Sequence, residues 1–158
     1  MLLNNKWWAL YSLGVILGAI LLNYYRIVIN FTHSLPEHLF LVKVNDKQLN
    51  VNDFVVAYSK GLPNMPDNVQ LIKLVAGVPG SSVKRNGAGL YIDNKFCCYV
   101  NEQKTTWGIV HPITDKSLAI PNGCYFVRGT SDKSFDSRYK EFGLICKNQI
   151  LGKAFSLF

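Results

Sequence analysis

The chain has 158 residues, 49% of them hydrophobic and 13% aromatic, which is enough apolar side chain for one packed domain with an appendage and too much for a disordered tail. Seventeen Lys and Arg against ten Asp and Glu leave a formal charge of +7. The basic residues are dispersed, with Lys84-Arg85 the densest pair, so there is neither a basic arm nor an aromatic-interleaved basic helix, and membrane proximity is favoured over nucleic-acid binding.

The first predicted element is "WWALYSLGVILGAILLNYY", Trp7 to Tyr25, which carries no charge. Its length is close to the roughly 20 residues that a helix needs to cross hydrocarbon. A cleaved signal peptide is the alternative. Against it, Trp7, Trp8, Tyr24 and Tyr25 bracket the segment as interfacial aromatics do, and it ends in bulky residues rather than a small-residue cleavage site. Residues 1–26 therefore read as a retained membrane anchor and 27–158 as one following domain. Lys6 precedes the span and Arg26 follows it, a slight charge bias that leans towards a cytoplasmic N-terminus and an outward-facing domain.

Next comes "FTHSLPEHLF", residues 31–40. Pro36 fixes its own φ and keeps Leu35 out of the α region, which helps a loop present Ser34. Taken alone, Ser34 reads as a turn residue. The Asn30-Phe31-Thr32 triplet matches a glycosylation acceptor pattern, which is incidental this close to a membrane.

Short apolar runs follow: "HLFLVKV", "DFVVAYS", "VQLIKLVAGV", "GLYID", "KFCCYVN", "CYFVRG" and "QILGKAFSLF". Rich in Val, Ile, Phe and Tyr and separated by turn formers such as "RNGAG" and "PNG", they predict a mainly β, mostly antiparallel domain. Lys73 interrupts one of these strands. Simple alternation would point it to solvent. The sharper reading is a buried ammonium whose pKa falls on desolvation, so that it can take a proton. His33, His38 and His111 show no arrangement that makes a Ser-His-Asp triad compelling.

Cys97, Cys98, Cys124 and Cys146 are free to form disulfides in an outward-facing domain, with the pairing left open, although adjacent cysteines seldom bond. No C-x-x-C spacing or His-x-His pair suggests a metal site, and no cofactor is expected. In "VRGTSDKSFDSRYKEFG", Ser134, Asp136 and Arg138 alternate and would share one face of an extended piece. An ion pair between the last two explains little unless it is buried and fixes a neighbouring geometry.

In order along the chain, "SLP" beyond the span, "NDFVV", "LIKLVAGVPG", "IPNGCYFVRG", "SFDSRYKEFG" and "ILGKAF" resemble the type I signal peptidase family. Within it they are most similar to the TraF-type conjugative transfer proteases that mature pilin subunits. The resemblance implies a signal-peptidase-like antiparallel β domain in which Ser34 is the nucleophile and Lys73 the general base. It also implies that Ser134 orients the lysine amine, that Asp136 and Arg138 form a structural pair, and that Thr32 and the Ser34 backbone N–H make the oxyanion hole. Leu35 stands where general signal peptidases carry methionine, and "GTSDK" departs from their Asp-Asn-Arg sequence after the glycine; both departures favour the specialised branch.

The resemblance further implies a single-pass protein of the bacterial inner membrane with its catalytic domain on the periplasmic or outer face. Its partners would be a signal-peptide-bearing or pilin precursor, membrane lipid and components of a conjugative type IV secretion apparatus. Release of the acyl-enzyme by water or by the substrate's own amine stays open. A general signal peptidase and a non-catalytic membrane-anchored scaffold, with Lys73 exposed and far from Ser34, are the competing expectations.

Overall fold

The computed structural model describes residues 3–63, 65–105, 108–113 and 116–157. Met1 and Leu2 of the expected anchor, and Phe158 of the last expected strand, lie outside the described residues.

Helix α1 runs from Leu3 to Tyr24. Its Leu, Ile and Ala side chains favour helix, no proline interrupts it, and from Trp7 onwards no charge has to be solvated. Its stretch Lys6–Tyr24 is long and apolar enough to cross a membrane and is not buried against the rest of the protein. The helix passes directly into strand β1, Tyr25–Ile29, so Tyr25 and Arg26, read from sequence as the end of the anchor, open the sheet.

Thirteen strands follow the helix among the described residues: β1, β2 (Leu39–Val44), β3 (Phe54–Tyr58), β4 (Gln70–Gly77), β5 (Ser82–Asn86), β6 (Gly89–Ile92), β7 (Lys95–Tyr99), β8 (Gln103–Thr105), β9 (Gly108–Val110), β10 (Leu118–Ala119), β11 (Cys124–Arg128), β12 (Ile145–Cys146) and β13 (Ile150–Ser156). The seven apolar runs of the sequence correspond to β2, β3, β4, β6, β7, β11 and β13. The others carry no clear strand signal in the sequence because they are two or three residues long, polar as in β5, or, as β1, continuous with the helix.

All pairings are antiparallel. The main sheet has the order β1-β2-β13-β3-β4-β11-β12, and a second sheet has the order β10-β5-β6-β7. Strands β8 and β9 form a separate hairpin. Because both faces of the main sheet are covered, its central strands are buried on successive residues and do not alternate, as Val55, Val56 and Ala57 of β3 show. One core, built on Val55, Val75, Val83, Leu90, Phe126 and Tyr139, lies between the sheets. A smaller one on the opposite side gathers Val28, Leu35, Phe40, Val42, Val56, Ile72 and Ala154.

Two features of the main sheet position the site. Among the described residues strand β1 pairs only with β2, which leaves its other edge unpaired. Strand β4 pairs with β3 over Gln70–Leu74 but with β11 only from Leu74 onwards, so Gln70–Lys73 also present an unpaired edge.

Candidate active site

The turn that carries Ser34 joins β1 to β2. It is closed by the Asn30 N–H donating to the His38 carbonyl at 2.8 Å. Leu35, almost fully buried, plugs the smaller core, and burying such a side chain stabilises by about 2 kcal/mol. This plug, followed by Pro36, fixes where the preceding serine can stand. Ser34 is buried but lines a cleft. Its carbonyl accepts the Thr130 N–H at 2.8 Å, and its Oγ lies 2.6 Å from Thr32 Oγ1.

Lys73 enters the same cleft from β4. It is 6% exposed, so the solvent-facing alternative from simple alternation does not hold; with both faces of the sheet covered, Ile72 and Lys73 are buried in succession. Burial strips water from the ammonium and lowers its pKa from 10.5 to about 8, with Asp136 drawing it upward and Arg138 downward. Its Nζ donates to Ser134 Oγ at 2.9 Å.

Ser134 stands on the loop after β11, and that loop is held by a buried ion pair. Arg138 Nε and Nη2 donate to the two Asp136 carboxylate oxygens, each at 2.8 Å. The same Nη2 also reaches the carbonyls of Ser131 and Ser134. Asp136 in turn accepts the Gly129 N–H at 2.8 Å. Residues 134–138 lie outside any strand, with a bend at 136 and a turn at 137–138, so their juxtaposition comes from these hydrogen bonds and not from strand alternation. The pair is 0% and 1% exposed, and it fixes the loop that presents Ser134.

Gly129, which the sequence alone gives no role, stands where the Ser34 turn meets the Ser134 loop. A Cβ built there would overlap the Ser134 side chain and the Ser34 carbonyl. Only glycine lets the Ser34 turn and the Ser134 loop meet this closely. Its place at the end of "CYFVRG" was the available signal, but the sequence contains no record of what approaches it.

The cleft has a volume of about 640 Å³ and takes its walls from Thr32, Ser34, Lys73 and Ser134, with Gln103 and Thr105 of the β8–β9 hairpin opposite. A second cavity of about 230 Å³ continues between the free edges, lined by Val28–Thr32 on one side and Gln70–Lys73 on the other. His111 is bound to Glu141 at 2.6 Å and Glu102 at 3.2 Å and does not line the cleft. Among the cysteines, Cys124 and Cys146 are bonded across β11 and β12, while Cys97 and Cys98 are free.

The model of the family described as signal peptidase, peptidase S26, matches residues 6–158 of this chain. The chain belongs to the peptidase S26 signal peptidase family. Signal peptidase I V of Bacillus subtilis (strain 168) is 31% identical over 133 residues, covering 78% of this chain and 76% of that protein. A crystal structure of a signal peptidase I from Enterococcus faecalis V583 aligns with a TM-score of 0.43 and 24% identity, over 68% of this chain and 97% of that one. As a member of peptidase S26, the protein is a serine peptidase of the signal peptidase I type, and the family match includes the apolar helix from residue 6 onwards.

Proposed function

We propose that the protein is a membrane-anchored endopeptidase that cleaves precursor proteins at signal-peptide junctions, with Ser34 as nucleophile and Lys73 as general base. The observation that carries this reading is that Ser34 and a buried, desolvated lysine line one cleft, the lysine amine being held by Ser134. Neutral Lys73 takes the Ser34 hydroxyl proton as Oγ attacks the scissile carbonyl. The tetrahedral oxyanion is stabilised by Thr32 Oγ1 and the Ser34 N–H. The new ammonium then gives its proton to the departing amine, leaving an ester on Ser34. Ser134 orients the lysine, and Asp136 with Arg138 holds the loop that carries Ser134.

The two unpaired edges define how a substrate lies. An extended peptide inserted between Val28–Thr32 and Gln70–Lys73 completes both edges with main-chain hydrogen bonds and brings its carbonyl to Ser34. The apolar side chains Ile27 and Ile29 of β1, Phe31 just beyond it, Phe155 of β13 and Leu157 just beyond it are exposed. Ile27, Leu41 and Phe155 are directly cross-strand, so this face adjoins the base of the helix and suits contact with lipid. The reading places the domain on the outer side of the cytoplasmic membrane, and the Cys124–Cys146 disulfide supports an oxidising compartment.

For the substrate we propose a pilin precursor of a conjugative type IV secretion apparatus, supported by the motif order and by Leu35 and "GTSDK". The 31% identity to Signal peptidase I V supports the broader reading, a general signal peptidase. Full-length protein, with S34A and K73A at matched abundance, is incubated with a pilin precursor and with a panel of secretory precursors. Expected are cleavage of the pilin precursor by wild type alone and little turnover of the panel. Broad cleavage would select the general enzyme, and normal cleavage by the variants would remove the Ser-Lys assignment. Product mass separates hydrolysis from cyclisation, which yields a product lighter by one water.

A further inference from the structure

Resting on that reading of Ser34 and Thr32, we propose that Asn30 is the positioning residue of the nucleophile turn, acting on Ser34 through the Thr32 hydroxyl. Asn30 directly follows β1 and is 5% exposed. Its carboxamide is fully engaged. Oδ1 accepts the Thr32 N–H at 3.0 Å and the Thr32 hydroxyl at 2.7 Å, while Nδ2 donates to the carbonyls of Glu37 at 3.0 Å and Leu35 at 3.4 Å. Exchanging the oxygen and nitrogen would set two donors against each other at Thr32 and two acceptors at Leu35 and Glu37, so the orientation is determined by its partners.

This orientation assigns the short contact between Thr32 and Ser34. A hydroxyl has one hydrogen and a carboxamide oxygen can only accept, so the Thr32 hydrogen lies on Asn30. The 2.6 Å contact is then Ser34 donating to Thr32. At rest the hydrogens run in one direction, from Ser34 to Thr32 to Asn30, while the amine of Lys73 faces Ser134. The Ser34 rotor is held, and its hydrogen points away from its base.

Acylation of Ser34 requires two exchanges and no further reagent. The Ser34 hydrogen turns from Thr32 to the neutral nitrogen of Lys73 and is transferred there as the Oγ–carbon bond forms. The Thr32 hydroxyl then leaves Asn30 for the oxyanion, exchanging a neutral acceptor for a charged and stronger one. Asn30 therefore keeps Thr32 in the rotamer from which this exchange is a small rotation, and through Leu35 and Glu37 it keeps the turn's backbone in register.

The test is a double-mutant cycle on the full-length protein in detergent, with a fluorogenic peptide spanning a small-residue signal-peptide junction, kcat and KM being measured separately. N30A and T32V are each expected to lower kcat by about 100-fold with KM little changed, on the scale of losing one oxyanion-hole donor. The double variant should be hardly slower than either single one, because both remove the same chain of hydrogens, and T32S should restore turnover. Losses that multiply, or a loss confined to KM, would overturn the proposal.

If N30A does not fold, judged by its unfolding midpoint, N30D takes its place. It keeps the acceptor for Thr32 and is expected to retain more kcat than T32V; an N30D that is slower than T32V, with a loss that persists when combined with it, overturns the proposal. S34A distinguishes the levels: wild-type turnover by S34A removes the catalytic reading and this inference together. An inactive S34A with multiplying N30A and T32V losses removes the inference alone.

Discussion

In the proposed mechanism Lys73 acts as a base only when neutral, so its lowered pKa of about 8 sets the expected pH response. The neutral fraction falls about tenfold per pH unit below that value, so kcat/KM should rise with an apparent pKa near 8 and then level off. Asp136 draws that pKa upward, so D136N should move the limb to lower pH. D136N also leaves Arg138 buried without its partner, at a cost of about 3–5 kcal/mol, so the profile is read below its own melting temperature. Stability has a definite sign as well. The unfolded chain keeps the lysine proton to about pH 10.5 and the folded one only to about 8, so the penalty of burying the ammonium is present below pH 8 and fades between the two values. K73M should therefore be inactive yet melt higher than wild type at pH 6, with the difference narrowing as pH rises through that window. At Gly129, an added methyl meets Ser134 and the Ser34 carbonyl. G129A should lose at least about 100-fold in kcat, a loss on the scale of one misplaced catalytic group, as a single-turnover assay would show.

At the scale of elements, the disulfide and the strand edges matter most. Cys124 and Cys146 are directly opposite on β11 and β12 and enclose a separation of 22 residues. The bond pins the short outer strand to the strand that leads into the Ser131–Arg138 loop. Loop-closure entropy gives it about 3 kcal/mol, so C124S/C146S should lower the denaturant midpoint accordingly. Alkylation of the unreduced, denatured protein should modify two thiols, Cys97 and Cys98, and four after reduction. The short strands were not legible in the sequence because two or three residues carry no detectable period. Strand β1 was hidden for another reason: it follows the helix with no turn former between them, so Tyr25 and Arg26 read as the end of the anchor and not as the start of a strand.

At the scale of the whole molecule, the proposed membrane contact rests on the helix and on the exposed side chains Ile27, Ile29, Phe31, Phe155 and Leu157. Deleting residues 1–24 should give a domain that still floats with liposomes in a density gradient, because the apolar face of β1 and β13 remains. Replacing Ile27, Phe31 and Phe155 by Ser in that truncated form should release it into the soluble fraction. A truncated form found entirely in the soluble fraction would show that the helix alone provides the membrane contact.

The apolar helix as far as Tyr24 and the β-rich character of the domain were legible in the sequence, and motif order singled out Ser34, Lys73, Ser134, Asp136 and Arg138 as candidates. These features are local: hydrophobic length, strand propensity and motif order survive in one dimension. Whether Lys73 is buried was decided only by the second layer over its sheet, and whether Asp136 and Arg138 pair was decided by a loop that no strand period describes. Asn30, within a glycosylation-like triplet, and Gly129, at the end of a strand motif, meet their partners only in the folded chain, where Thr32, Leu35 and Glu37 close around the one and Ser34 and Ser134 around the other. Hydrogen-bond direction and close approach depend on which atoms meet, and that is a property of the folded chain.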